Sequence, residues 1–152
     1  AHAGKVVPGG LLLGFPIYTP FLPKSGQDYD CLCGASLLIR REVIEQVGLL
    51  DTDFFFFFED AEFSYRIKKA GWKLVLAEGT PICHYGSAAI GSQAYNKVYN
   101  YRYGQLLYIS KCARGVFFYR LLFLFAGIFL YACKGKWAAF RANTKACVQK
   151  LK

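Results

Sequence analysis

Apolar and polar positions along this chain of 152 residues change period several times, and each change marks an element. Residues 5–15 (KVVPGGLLLGF) read as one or two short strands broken by Pro8-Gly9-Gly10. Residues 16–30, with three prolines and Ser25-Gly26, read as a surface loop. CLCGASLLIR (31–40) is an almost unbroken apolar run closed by charge, the pattern of a buried central strand. Arg41 to Val47 predicts a short helix stopped by Gly48. Residues 49–58 predict a loop ending in five consecutive phenylalanines.

In EDAEFSYRIKKAG (59–71), Phe63, Ile67 and Ala70 fall at i, i+4 and i+7, with Glu62, Arg66 and Lys69 on another face. Acids crowd the first turn, bases the last, and Gly71 follows, which is the order a helix dipole prefers. KLVLA (73–77) and PICHY (81–85) read as short strands or extended segments, and GSAAIGS (86–92) as a loop of small residues. Tyr95, Tyr99, Tyr103, Leu106 and Leu107 recur at helical spacing over 94–111. Residues 115–133 form a 19-residue apolar stretch interrupted only by Arg120. Beyond it, 134–152 intersperses Lys and Arg with Trp137, Phe140, Val148 and Leu151.

Charge divides the chain in a way the apolar pattern does not. The formal charge is +9. Residues 1–110 hold ten bases and all ten acids, whereas residues 111–152 hold nine bases and no acid. A uniformly basic nucleic-acid coat is thereby excluded for the first part, and an anionic partner is expected for the last. An apolar fraction of 55% with 14 Phe and 11 Tyr excludes intrinsic disorder. The chain contains no Met and begins Ala1-His2, so it is expected to be a piece of a longer polypeptide. Its six cysteines show only one close pair, Cys31-x-Cys33, and no zinc spacing. Reduced, mostly buried thiols are expected, consistent with a cytosolic compartment.

Candidate chemistry centres on Glu59-Asp60, adjacent carboxylates that follow the aromatic run and open a helix. Such a pair often only caps the helix. A glycosidase pair is a poor reading, because neighbouring residues at a helix start project in different directions instead of flanking a substrate. One of the two can serve singly as a general base. A helix N-terminus lowers a carboxyl pKa, while a general base works best nearer pH 7, so the two demands pull against each other.

The order of motifs is more specific than any one of them. CGASLLIRREVIEQVGLLD is followed by FFFFFEDAEFSYRIKKAGWKLV and then ICHYGS. This order resembles the second half of family 2 glycosyltransferases, in their rhamnosyltransferase-like branch, over about residues 30–111. The resemblance implies an α/β chain, the acceptor-side half of a GT-A (Rossmann-like) fold over residues 1–111, followed by a helical C-terminal tail over 112–152. It implies that Asp60 is the catalytic base of an inverting transfer from a nucleotide sugar, with Glu59 its motif partner. Gly34, Ala35 and Ser36 match the backbone segment that approaches sugar or acceptor, and Trp72 the aromatic of a substrate-side turn. His84 matches a histidine that in some members helps hold a divalent metal (Mg or Mn) or the diphosphate.

There are departures from the family pattern as well. The metal-binding D-x-D is not among the matched motifs, and the main metal ligands are expected upstream of residue 1. The strings Asp28-Tyr29-Asp30 and Asp51-Thr52-Asp53 are decoys on this reading, with a structural Asp expected at Asp30. Arg102 is followed by Tyr103, where the family has an Arg-Asn pair. The piece by itself is expected to be inactive.

Three readings compete for residues 112–152. An interfacial basic, apolar helix pair on an anionic membrane ranks first. A spanning helix ranks second, with Arg120 against it. Nucleic-acid binding ranks last, since the bases interrupt a continuous apolar block. The intact protein is expected to glycosylate a lipid-linked or glycan acceptor for cell-surface polysaccharide, at the cytoplasmic face of the cell membrane, with no nucleic-acid partner. The alternative is a non-catalytic membrane-surface module in which Glu59 and Asp60 only cap a helix.

Overall fold

The computed structural model describes residues 9–12, 15–18, 26–77, 94–112 and 116–149. In chain order the elements are β1 (Gly9–Leu12), β2 (Phe15–Tyr18), α1 (Arg41–Val47), α2 (Glu59–Lys69), α3 (Ala94–Cys112), α4 (Val116–Cys133) and α5 (Trp137–Gln149). The chain divides into two compact units, residues 1–52 with 59–86, and residues 53–58 with 87–152. The units thus divide the chain differently from its charge, since α3 falls with α4 and α5.

In the first unit β1 and β2 pair antiparallel, Gly9 opposite Tyr18 and Leu12 opposite Phe15. Residues 16–18, expected in a loop, therefore belong to a strand that begins at Phe15, with Pro16 accommodated in a two-stranded ribbon where an N–H can be spared. Helix α1 ends as its sequence predicts: Gly48 takes φ 79° and donates to the Ile44 carbonyl. Helix α2 closes with Gly71 at φ 90°. There Gly71 N–H reaches Lys68 O and Trp72 N–H reaches Ile67 O, the paired bonds of a Schellman end. Tyr29, Val43, Phe63, Ile67 and Leu74 form the core of this unit.

The strand expected at 31–40 does not form, and 73–77, expected as a short strand or an extended segment, joins no ladder; among the described residues β1 and β2 make the only sheet. A central strand needs backbone partners on both sides; the bond from Tyr29 N–H to Leu74 O ties 73–77 to the chain just before the run. The amides of Leu32 and Gly34 are taken by side chains of α2 instead. Leu38 is 99% exposed, so this stretch is not a buried strand. The α/β architecture implied by the resemblance is thus represented among the described residues by five helices and one hairpin.

In the second unit α3 and α4 both pack on α5. Ala139, Ala142 and Ala146 are buried on α5, and Leu106, Leu107 and Ile109 are buried on α3. Small residues on one helix let large ones on another fill the interval. Helix α4, at 18 residues, measures about 27 Å, against about 30 Å of bilayer hydrocarbon. Among the described residues no helix is long and apolar enough to cross a membrane.

Candidate active site

Helix α2 begins with Glu59 and Asp60, and the segment 32–34 runs alongside it. Asp60 Oδ2 accepts the Gly34 N–H at 2.9 Å and Oδ1 the Ala61 N–H at 2.8 Å. One turn on, Ser64 Oγ accepts the Leu32 N–H at 3.2 Å. The match is geometric: two residues of extended chain span about 6.7 Å, and four residues of helix about 6 Å. Alternate amides of the segment therefore meet successive turns of the helix. A Cβ at position 34 would stand 3.3 Å from Asp60 Cβ, so glycine allows this approach.

Helix capping accounts for neither bond of Asp60. A capping side chain takes an N–H two or three residues on, whereas Asp60 takes one adjacent amide and one 26 residues away. A carboxylate offers roughly four lone-pair positions, so two remain after these bonds. Asp60 is half-buried, and Ala35 and Ser36 lie exposed in the turn after Gly34.

Glu59 is set differently. Its Oε2 is buried without a hydrogen-bond partner. Burial pushes its carboxyl up; its own backbone N–H offsets part of this and the charge of Asp60 adds to it. Of the two carboxyls, Glu59 is thus the one driven toward the neutral form, a contrast that sequence alone does not reveal.

Position of the helix is fixed by Arg66, whose Nε–H is shared between both oxygens of Glu62 at 2.7 and 3.0 Å. It also donates to Val47 O and, at 2.8 Å, to Leu49 O. Glu62, which its spacing places on a polar face, is 4% exposed; the ion pair is what permits that burial.

Other candidates take structural places. Trp72 Nε1 donates to Gln46 Oε1 at 2.7 Å while its ring packs against the core. Asp28 accepts from Leu74 N–H and from Lys68 Nζ, contacts that hold its carboxyl below the usual range, Lys68 first and Leu74 next. The structural aspartate of that string is thus Asp28, whereas the resemblance pointed to Asp30. Asp53 pairs with Lys111 at 2.6 Å. His84 lies outside the described residues. Among those described, no three of His, Cys, Asp or Glu come together as a metal cage.

In the second unit, Phe57 and Phe58 both take left-handed φ, 68° and 69°, immediately before Glu59 in sequence. For bulky residues this costs about 1–2 kcal/mol each. Rings hold them there: Phe57 and Phe58 pack edge-on against Tyr101 at 5.4 and 5.1 Å, and Phe58 also meets Tyr108. Within the run Phe54 and Phe58 are buried, while Phe55 is 85% exposed. Core packing thus claims two of the five rings outright. Neither Ser64 nor the strained pair is flagged by sequence, although Ser64 stands at i+4 from Asp60, on the same helix face.

A family model described as glycosyl transferase family group 2 matches residues 25–144. Two curated relatives, both N-acetylglucosaminyl-diphospho-decaprenol L-rhamnosyltransferases of Mycobacterium tuberculosis (strains CDC 1551 / Oshkosh and ATCC 25618 / H37Rv), are 35% identical over 70 residues. The aligned stretch is 46% of this chain and 23% of each relative. The chain thus spans about a quarter of the length of these relatives. No solved structure matches it.

Proposed function

The chain belongs to glycosyl transferase family group 2, a membership that implies the GT-A fold, and from that premise we propose that the full-length protein transfers a sugar from a nucleotide donor to a lipid-linked acceptor with inversion. Asp60 is the base. It takes the proton of the acceptor hydroxyl as that oxygen bonds to the anomeric carbon, and the nucleoside diphosphate leaves from the opposite face. General-base assistance of this kind contributes roughly 10²–10⁴-fold. Gly34 and Ala61 hold the carboxylate through their amides, Ser64 fixes the Gly34 segment to the helix, and Glu59 carries no proton-transfer role. A divalent metal, Mg or Mn, is assigned no residue of this chain.

The observation that carries the reading is the carboxylate of Asp60, fixed by two amides and not consumed by capping. Rhamnose is the first donor sugar to try and a polyprenyl diphosphate sugar the first acceptor, by similarity to the activity that the relatives are named for. The reaction would take place at the cytoplasmic face of the cell membrane and serve cell-surface polysaccharide synthesis. The test is the anomeric configuration of the product formed by the full-length enzyme, read by NMR. A linkage inverted relative to the donor is expected; a retained linkage, or no transfer, overturns the proposal.

A further inference from the structure

Three exposed side chains on α4 do not fit a helix that has finished packing. Leu122, Phe125 and Phe129 stand at i, i+3 and i+7 and are 61, 65 and 69% exposed. The opposite side of the same helix is occupied, since Gly127 is buried against Asn143 of α5. The stripe is thus an outward face with no cover among the described residues. A contiguous apolar surface of this kind marks a contact still to be made.

Charge identifies the contact. Residues 111–152 carry nine bases and no acid. Helix α4 ends in a tight turn in which Lys134 and Lys136 are exposed. On α5, Arg141 and Lys145 follow one turn apart on the exposed side, between Trp137 at 62% and Val148 at 49% exposure. A shallow groove of about 490 Å³ runs along this side, lined by Phe140 and Val148 beside the two cations. An apolar stripe on α4, with bases and an exposed Trp on the turn and helix that follow it and no acid in residues 111–152, matches the chemistry of a lipid headgroup boundary. Lys145 also lies over the Tyr99 ring at 5.8 Å.

We propose that the outward faces of α4 and α5 form a docking surface for an anionic bilayer. Leu122, Phe125 and Phe129 enter the acyl boundary, Trp137 sits at headgroup level, and Lys134, Lys136, Arg141 and Lys145 face lipid phosphates. This deepens the reading that the protein meets its acceptor at a membrane and rests on it. A second copy of the chain fits less well: a two-fold contact sets each surface against itself, and here that brings bases against bases. A nucleic acid would use the bases and leave the α4 stripe uncovered.

Cosedimentation of the full chain with phosphatidylcholine vesicles, with and without phosphatidylglycerol, tests this. Binding is expected only with the anionic lipid and is expected to weaken with salt. Phe125→Ser with Phe129→Ser should lower partitioning at least tenfold. Arg141→Gln with Lys145→Gln should lower it roughly 25-fold, at about fivefold per base, and flatten the salt dependence. Circular dichroism checks that each variant keeps its helices, and the charge variants, which lie on the surface, stand in if the phenylalanine pair misfolds. Equal binding by parent and both variants, or equal binding to neutral vesicles, overturns the surface. A parent that is dimeric in solution, with the phenylalanine variant monomeric and vesicle binding unaltered, assigns the stripe to a second copy and overturns it too. Sugar transfer assayed in detergent separates this from the reaction itself: lost vesicle binding with transfer intact refutes the surface alone, and lost transfer with vesicle binding intact refutes the reaction alone.

Discussion

In the unit of α1 and α2, Asp28, Asp60, Ser64 and Arg66 each tie a side chain to backbone 17 to 46 residues away. In the unit of α3, α4 and α5, the buried ties are alanines, leucines and aromatic rings, and polar ties such as Asp53–Lys111 and Tyr99–Gln149 join side chain to side chain instead of to distant backbone. The first arrangement locates individual atoms to within a hydrogen bond, as a carboxylate that must meet a hydroxyl requires. The second locates whole helices, and it leaves an apolar stripe and a set of bases facing outward. A site that acts on a bond and a surface that meets a partner thus use different interactions within one chain.

If that contrast is right, polar substitutions should do most harm in the first unit and steric ones in the second. The largest effect is expected from Arg66→Ala, which strands the buried carboxylate of Glu62 and two carbonyls. A loss of about 3 kcal/mol in urea unfolding is expected, with Arg66→Lys recovering less than half because one ammonium cannot reach Glu62, Val47 O and Leu49 O together. Next comes Gly104→Val in the second unit, where a Cβ would lie 2.5 Å from Phe57 O. It should cost about 2 kcal/mol and change the near-ultraviolet dichroism of the aromatic run. A Gly104→Val loss larger than that of Arg66→Ala would reverse the comparison.

Ser64→Ala should cost only about 1 kcal/mol, yet in the full-length enzyme it should lower kcat with KM unchanged, and Ser64→Thr should restore it. An equal rise in KM would make Ser64 a structural residue only. Smallest is Glu59→Gln. Because burial raises the Glu59 pKa in the folded state, that state holds the proton more tightly than the unfolded chain. Stability from this group is therefore present at low pH and lost as pH rises from the ordinary carboxyl value through the raised one. Removing the charge should raise Tm at pH 7, with the difference from the parent vanishing below the ordinary carboxyl range. A Tm difference independent of pH would contradict the burial of Glu59.

What the sequence made legible was local. Gly48 and Gly71 stop their helices where their position predicts, because a left-handed end needs only one residue without a Cβ. The helical spacing of Tyr95, Tyr99 and Tyr103 reads as helix and is helix. The apolar run 31–40 misleads, because whether such a run becomes a strand depends on partners elsewhere in the chain. Glu62 misleads for a similar reason: its burial depends on Arg66 filling both its oxygens, a pairing that periodicity counts as two exposed charges. Glu59-Asp60 was conspicuous as a pair, but the division between them came from burial on one and two amides on the other. The left-handed Phe57 and Phe58 leave no mark in the sequence, since the rings that hold them lie some forty residues away.

Turnover of the full-length enzyme with Asp60→Asn, at saturating donor and acceptor, tests the central claim most directly. Asparagine keeps the shape and one oxygen for the Gly34 amide but cannot take the acceptor proton. The expected result is a fall in kcat of roughly 10²–10⁴-fold, with stability lowered by only about 1 kcal/mol for the lost Ala61 bond. A variant that folds normally and turns over within about tenfold of the parent would contradict the assignment of Asp60 as the base.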